Sequence, residues 1–174
     1  MTVSIVNPFI YEGKYYGSSK KAKFISDDYS PPKEYWDRLI YTAEKNNFTC
    51  LTPMMCGDNA MYENEFPQAI VFCGKLYKNP IIVTESNELV YLKEASLVDV
   101  GFEISVYRPK YIIVEYIDID DNNKTVRFDG LSARYFFQAC QLMLGIHVIE
   151  CAKPIAQKYA LKRYYKKYGK KIIN

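Results

Sequence analysis

The chain has 174 residues, 49% of them hydrophobic and 25% charged, enough for one well-filled core in a soluble protein. No apolar run reaches the roughly 18 residues that span a bilayer, and MTVSIVNPFIYEGKYYG lacks the pattern of a secretory signal. A cytoplasmic protein is therefore expected, or one exported only as part of an assembly. The net charge of +3 is uneven, because the residues from Cys151 onward hold eight Lys/Arg and no acid.

Five cysteines without a C-x-x-C pair exclude a disulfide framework and a zinc ribbon. His147 is the only histidine, which excludes any mechanism needing two imidazoles from one chain.

In chain order, residues 3–27 read as irregular. PKEYWDRLIYTAEKNN, opened by Pro31-Pro32, has the apolar spacing of a helix: Tyr35, Leu39 and Ala43, with Trp36 and Ile40 beside them. FTCLTPMMCGDNAMYENEFP follows as a loop. AIVF, IIVT and ELVYL are short strand signals, and RPKYIIVEYIDI reads as one longer strand that turns at DDNNKTVRF into an antiparallel partner. The acidic run Glu115, Asp118, Asp120 and Asp121 fits a solvated turn.

GLSARYFFQACQLML predicts a second long helix with Leu131, Tyr135, Leu142 and Met143 toward the core. Lys153-Pro154 opens a final basic helix that ends near Tyr168, with Gly169 as its stop. Strands and helices do not alternate as βαβ units, so the class is α+β, with small antiparallel or mixed sheets around a central helix. The expected division is a domain over 1–152 and a basic helix or tail over 153–174.

The order of motifs resembles the peptide deformylase family over nearly the whole chain. TCLTPMMC stands at the family's G-L-A-A-P-Q loop, KNP (residues 78–80) at a strand ending in N-P, and EASL at E-G-C-L-S. RPKYIIV and GLSAR stand at its R-P and G-L-x-A-R motifs, the latter ahead of a helix that should carry Q-H-E-x-D-H. The resemblance implies a metal held by one Cys and two His, with a Glu acting on the bound water.

At those positions this sequence has Ser96 for the cysteine, Ala139 and Met143 for the histidines, and Cys140 for the glutamate. Met54 replaces the loop glutamine, while Glu94, Leu97 and Gln138 keep their expected identities. Alternative sites are conceivable on paper: Cys140 and His147 joined by Cys50 or Cys56 around a metal, or Cys140 as a nucleophile served by His147.

From these substitutions a catalytically inactive structural or interaction subunit is expected, with no metal, no cofactor and no small-molecule substrate. Seventeen tyrosines with abundant Lys, Asn and Ile fit an AT-rich genome, and a tailed-phage particle (tail or baseplate) is the expected setting. The alternatives are a ribosome-associated module or deformylase competitor, and a hydrolase with a rebuilt cysteine site.

The candidate interaction residues are Lys158, Lys162, Arg163, Lys166, Lys167, Lys170 and Lys171, a set that suits a polyanion or an acidic protein partner. EASLVDVGFEISV retains a strand that could hold an extended peptide.

Overall fold

The computed structural model describes residues 7–10 and 20–169. The first helix, α1 (Lys33–Lys45), starts behind Pro32, with Glu34 in its first turn and Lys45 in its last, both favourable to the helix dipole. It buries Tyr35, Trp36, Leu39 and Ala43 as their spacing predicts, and Thr42 as well. The loop after it contains a two-residue strand, β1 (Cys50–Leu51), and 3-10 turns at Pro53–Cys56 and Asp58–Ala60.

β2 (Ala69–Phe72) and β3 (Lys75–Glu85) form a hairpin closed by Cys73 and Gly74, both at positive φ, as a two-residue turn requires. β3 runs well beyond IIVT. Its register shifts between Lys78 and Ile81, where Asn79 sits at φ +48° and Pro80 has no N–H to give the ladder. The Asn79 side chain bonds the Ile25 N–H at 2.8 Å and the Ile25 carbonyl at 2.7 Å, so the bulge anchors the entering chain.

β4 (Leu89–Ala95) and β5 (Glu103–Pro109) form a separate antiparallel pair. The long strand expected from Arg108 onward is in fact split. β5 ends at Pro109, and β6 (Tyr111–Ile117) enters the other sheet and pairs with β7 (Asn123–Asp129). Pro109 has no N–H to continue the ladder, and the residue after it is where the chain changes sheets. The larger sheet is antiparallel throughout, in the order β1-β2-β3-β6-β7.

Gly130, at φ +57°, turns β7 into the central helix α2 (Gly130–Met143). One side of α2 faces the larger sheet: the Phe136 ring stacks on Phe128 at 4.5 Å and meets Phe72 and Tyr77 edge-on. Leu142 and Met143 are buried as expected and Tyr135 is half-buried. Leu131 is 63% exposed, contrary to expectation: aromatic contacts set the helix rotation, and its first turn is left outside the core.

α3 (Pro154–Tyr168) follows a short 3-10 turn (Val148–Cys151) and ends at Gly169 in the left-handed conformation. Ala160 and Tyr164 pack it on Phe102, Ile104 and Val106. The fold is α+β, with α2 between the two sheets. No helix among the described residues is long and apolar enough to cross a membrane.

Candidate functional site

Motifs far apart in sequence meet in one buried polar cluster. Glu94 on β4 accepts from Arg108 on β5 at 2.6 Å and lies 3.2 Å from Arg134 of α2. Gln138 donates to Glu94 at 3.2 Å and to the Ala95 carbonyl at 3.0 Å, and its Oε1 accepts the Leu97 N–H at 2.8 Å. Arg134 also donates to the carbonyls of Val90, Leu92 and Val106. Desolvation pulls the Arg134 guanidinium below its ordinary value, and Glu94 opposes that shift. One carboxylate thus balances two buried guanidiniums, and the cluster fixes the end of β4 against α2.

Beyond that strand end lies a cleft of about 410 Å³, walled by Phe48, Thr49 and Cys50 on one side and by Ser96, Leu97 and Tyr135 on the other. Ser96 is positioned by its own loop: its Oγ accepts N–H bonds from Val98 at 3.2 Å and Asp99 at 3.0 Å. The fully buried His147 has its Nε2 2.6 Å from the Asp99 carboxylate and its Nδ1 3.1 Å from the Ile149 N–H. Because Nδ1 accepts the Ile149 N–H, the ring proton is assigned to Nε2, which donates to Asp99. Ser96 Oγ lies 3.4 Å from that same Nε2. A serine relay needs the hydroxyl and the carboxylate on opposite ring nitrogens, so these three residues brace the loop rather than activate Ser96. Sequence reading missed this brace, since Asp99 and His147 are 48 residues apart.

The positions expected for the metal also converge. Met54, Ala139 and Met143 lie in one apolar cluster with Phe66, Ile70 and Phe136, and Cys140 and Leu97 pack at its border. Their chemistry does not fit the family's metal. At the ligand positions a hydroxyl already engaged by backbone N–H groups, a methyl group and a thioether replace the thiolate and the two imidazoles, and the Cys140 thiol replaces the carboxylate. Burial pushes the Cys140 thiol up to about 12, so near neutral pH it is protonated and not a free thiolate nucleophile.

The rebuilt arrangements do not form either. α2 ends at Met143, the His147 ring nitrogens meet Asp99 and the Ile149 N–H, and Cys56 packs in the cluster beneath α1. Among the described residues no three His, Cys, Asp or Glu side chains are grouped to hold a metal.

Lys158, Lys162, Arg163, Lys166 and Lys167 are exposed on α3, while Lys170 and Lys171 lie outside the described residues. The three aspartates of the acidic run form the turn, while Glu115 lies on β6: Asp118 accepts N–H bonds from Asn122 and Asp120, which hold its carboxyl below the usual range, and Asp121 pairs with Lys78.

The family model described as polypeptide deformylase matches residues 49–158, which include Thr49 and Cys50 of one cleft wall and Ser96, Leu97 and Tyr135 of the other. A peptide deformylase of Wolbachia pipientis wMel is 33% identical over 105 residues, and that stretch covers 60% of this chain and 58% of the relative. The chain therefore matches little more than half the length of that curated relative. Crystal structures of peptide deformylase from Thermus thermophilus (TM-score 0.72, 21% identity) and Ehrlichia chaffeensis (TM-score 0.70, 18% identity) share the fold. The first match covers 92% of this chain and 95% of the other, the second 93% and 96%.

These comparisons correct the expectation of a catalytically inactive subunit of a phage tail or baseplate, and equally that of a deformylase competitor on the ribosome. The curated relatives are named for an enzyme, and it is an enzyme family whose model spans the cleft. That expectation extended five local side-chain changes to the whole chain, whereas the scaffold around them is retained. On the match over residues 49–158, the chain belongs to the polypeptide deformylase family.

Proposed function

We propose that this chain acts as a peptide deformylase, hydrolysing the formyl amide at the N-terminus of a peptide held in the cleft beside Ser96. The observation that carries this reading is the family match over residues 49–158, the stretch that supplies most of the cleft lining, Ser96, Leu97 and Tyr135 among it. Phe48 and Tyr135 give the cleft apolar sides suited to a hydrophobic first residue. β4 has one strand neighbour, β5, among the described residues, and the buried polar cluster holds its end rigid for an extended peptide. What the chain's own residues contribute is binding and orientation. No step is assigned to a metal, because the donor set does not fit one.

The proposed setting is the cytoplasm. The outer face of α3, with Lys158, Lys162 and Lys166, is the proposed contact for a polyanionic partner such as ribosomal RNA.

The test is incubation of the purified chain with formyl-Met-Ala-Ser, with the deformylated product followed by mass spectrometry. Product should accumulate with the chain and fall sharply for Thr49→Trp, which fills the cleft. Absence of product above the buffer rate would overturn the proposal.

A further inference from the structure

Next to the cleft is a smaller recess of about 170 Å³, between residues 101–103 and α3. Gly101 lines both, so the cleft and the recess against α3 adjoin at this residue. Arg163 and Lys167, one helical turn apart, stand over this recess together with Tyr164 and Tyr168. Gly101, at φ +82°, admits the close approach of Tyr168: a Cβ there would overlap the Tyr168 hydroxyl. α3 therefore sits directly against the loop that carries Ser96.

The charges around the recess are Lys93, Arg163 and Lys167 against Glu103 and Asp99. Glu103 is already matched by Lys93 at 2.9 Å, an ion pair that holds its carboxyl below the usual range, with smaller contributions from Arg163 and Lys167. Asp99 accepts from His147 at 2.6 Å. No ion pair of Arg163 is found among the described residues. One positive charge is left over, presented by a guanidinium and an ammonium beside two phenol rings, a donor set suited to an oxyanion.

We infer that this recess is an anion subsite that takes the carboxylate of an acidic residue downstream in the peptide, gripped by Arg163 and Lys167. The inference rests on the peptide reading of the cleft and narrows it to acidic substrates. It separates Arg163 and Lys167 from Lys158, Lys162 and Lys166, which do not line the recess.

The test uses C-terminally amidated formyl-Met peptides in which an Asp is walked along the positions after the first, each paired with its Asn counterpart. Binding is read by calorimetry. One register should bind about tenfold more tightly with Asp than with Asn. That preference should disappear in the double variant Arg163→Gln, Lys167→Gln and persist in Lys162→Gln. No preference at any register, or one that survives the double variant, overturns the inference.

Failure of every peptide to bind would count against the cleft reading, and inorganic phosphate then tests the recess alone. Saturable shifts of the Gly101 and Phe102 amide resonances, lost in the double variant, uphold the anion site. No shift overturns it.

Discussion

Gln138 on α2 accepts the Leu97 N–H at 2.8 Å and donates to the Ala95 carbonyl at 3.0 Å, bracketing Ser96 between two bonds from one carboxamide. The position of the cleft wall is thus fixed by a helix residue more than forty positions away in sequence.

Replacing Gln138 by Leu leaves the half-buried Leu97 N–H and Ala95 carbonyl without their side-chain partner. The expected loss is about 2–6 kcal/mol in urea unfolding, from two unsatisfied groups at roughly 1–3 kcal/mol each. A change within about 0.5 kcal/mol would show that water reaches both groups.

Glu94→Gln removes the carboxylate shared by Arg108 and Arg134, both about 2% exposed. Two guanidiniums then face each other in the core. The expected cost is about 3–5 kcal/mol, the range for breaking a buried ion pair by removing one partner. Thermal unfolding of the variant beside Glu88→Gln, whose exposed pair with Lys110 is worth at most about 1 kcal/mol, measures the difference.

The thiol of Cys140 stays protonated in the folded chain to about pH 12, against about 9 for an ordinary thiol. Raising the pH through that window ionises the unfolded chain first, so Cys140's contribution to stability is full below about 9 and falls until about 12. Cys140→Ala should flatten the decline of the urea midpoint over this range. In the same chain, iodoacetamide should modify exposed Cys73 well before Cys140.

Cobalt titration checks the donor chemistry. The unaltered chain should show no saturable cobalt–thiolate absorption near one equivalent. The triple variant Ser96→Cys, Ala139→His, Met143→His should gain it at about one equivalent, since three such ligands with one open position suffice. A thiolate band in the unaltered chain would mean that the cluster around Met54 opens to admit a metal.

Much of this protein was legible in the sequence. The stripe of Tyr35, Leu39 and Ala43, the Lys153-Pro154 start and the Gly169 stop specified α1 and α3, because apolar spacing, proline and glycine act within a few residues. The order of EASL, RP and GLSAR pointed to the family.

The tertiary structure decided the rest. It split the stretch from Arg108 onward into strands of two different sheets, turned Leu131 outward, and showed that the family motifs meet in one ion cluster around Glu94. It also paired His147 with Asp99 instead of a cysteine. Such outcomes depend on which distant groups come to share a low-dielectric interior, where a buried charge or donor must find its partner, and no local sequence pattern encodes that pairing.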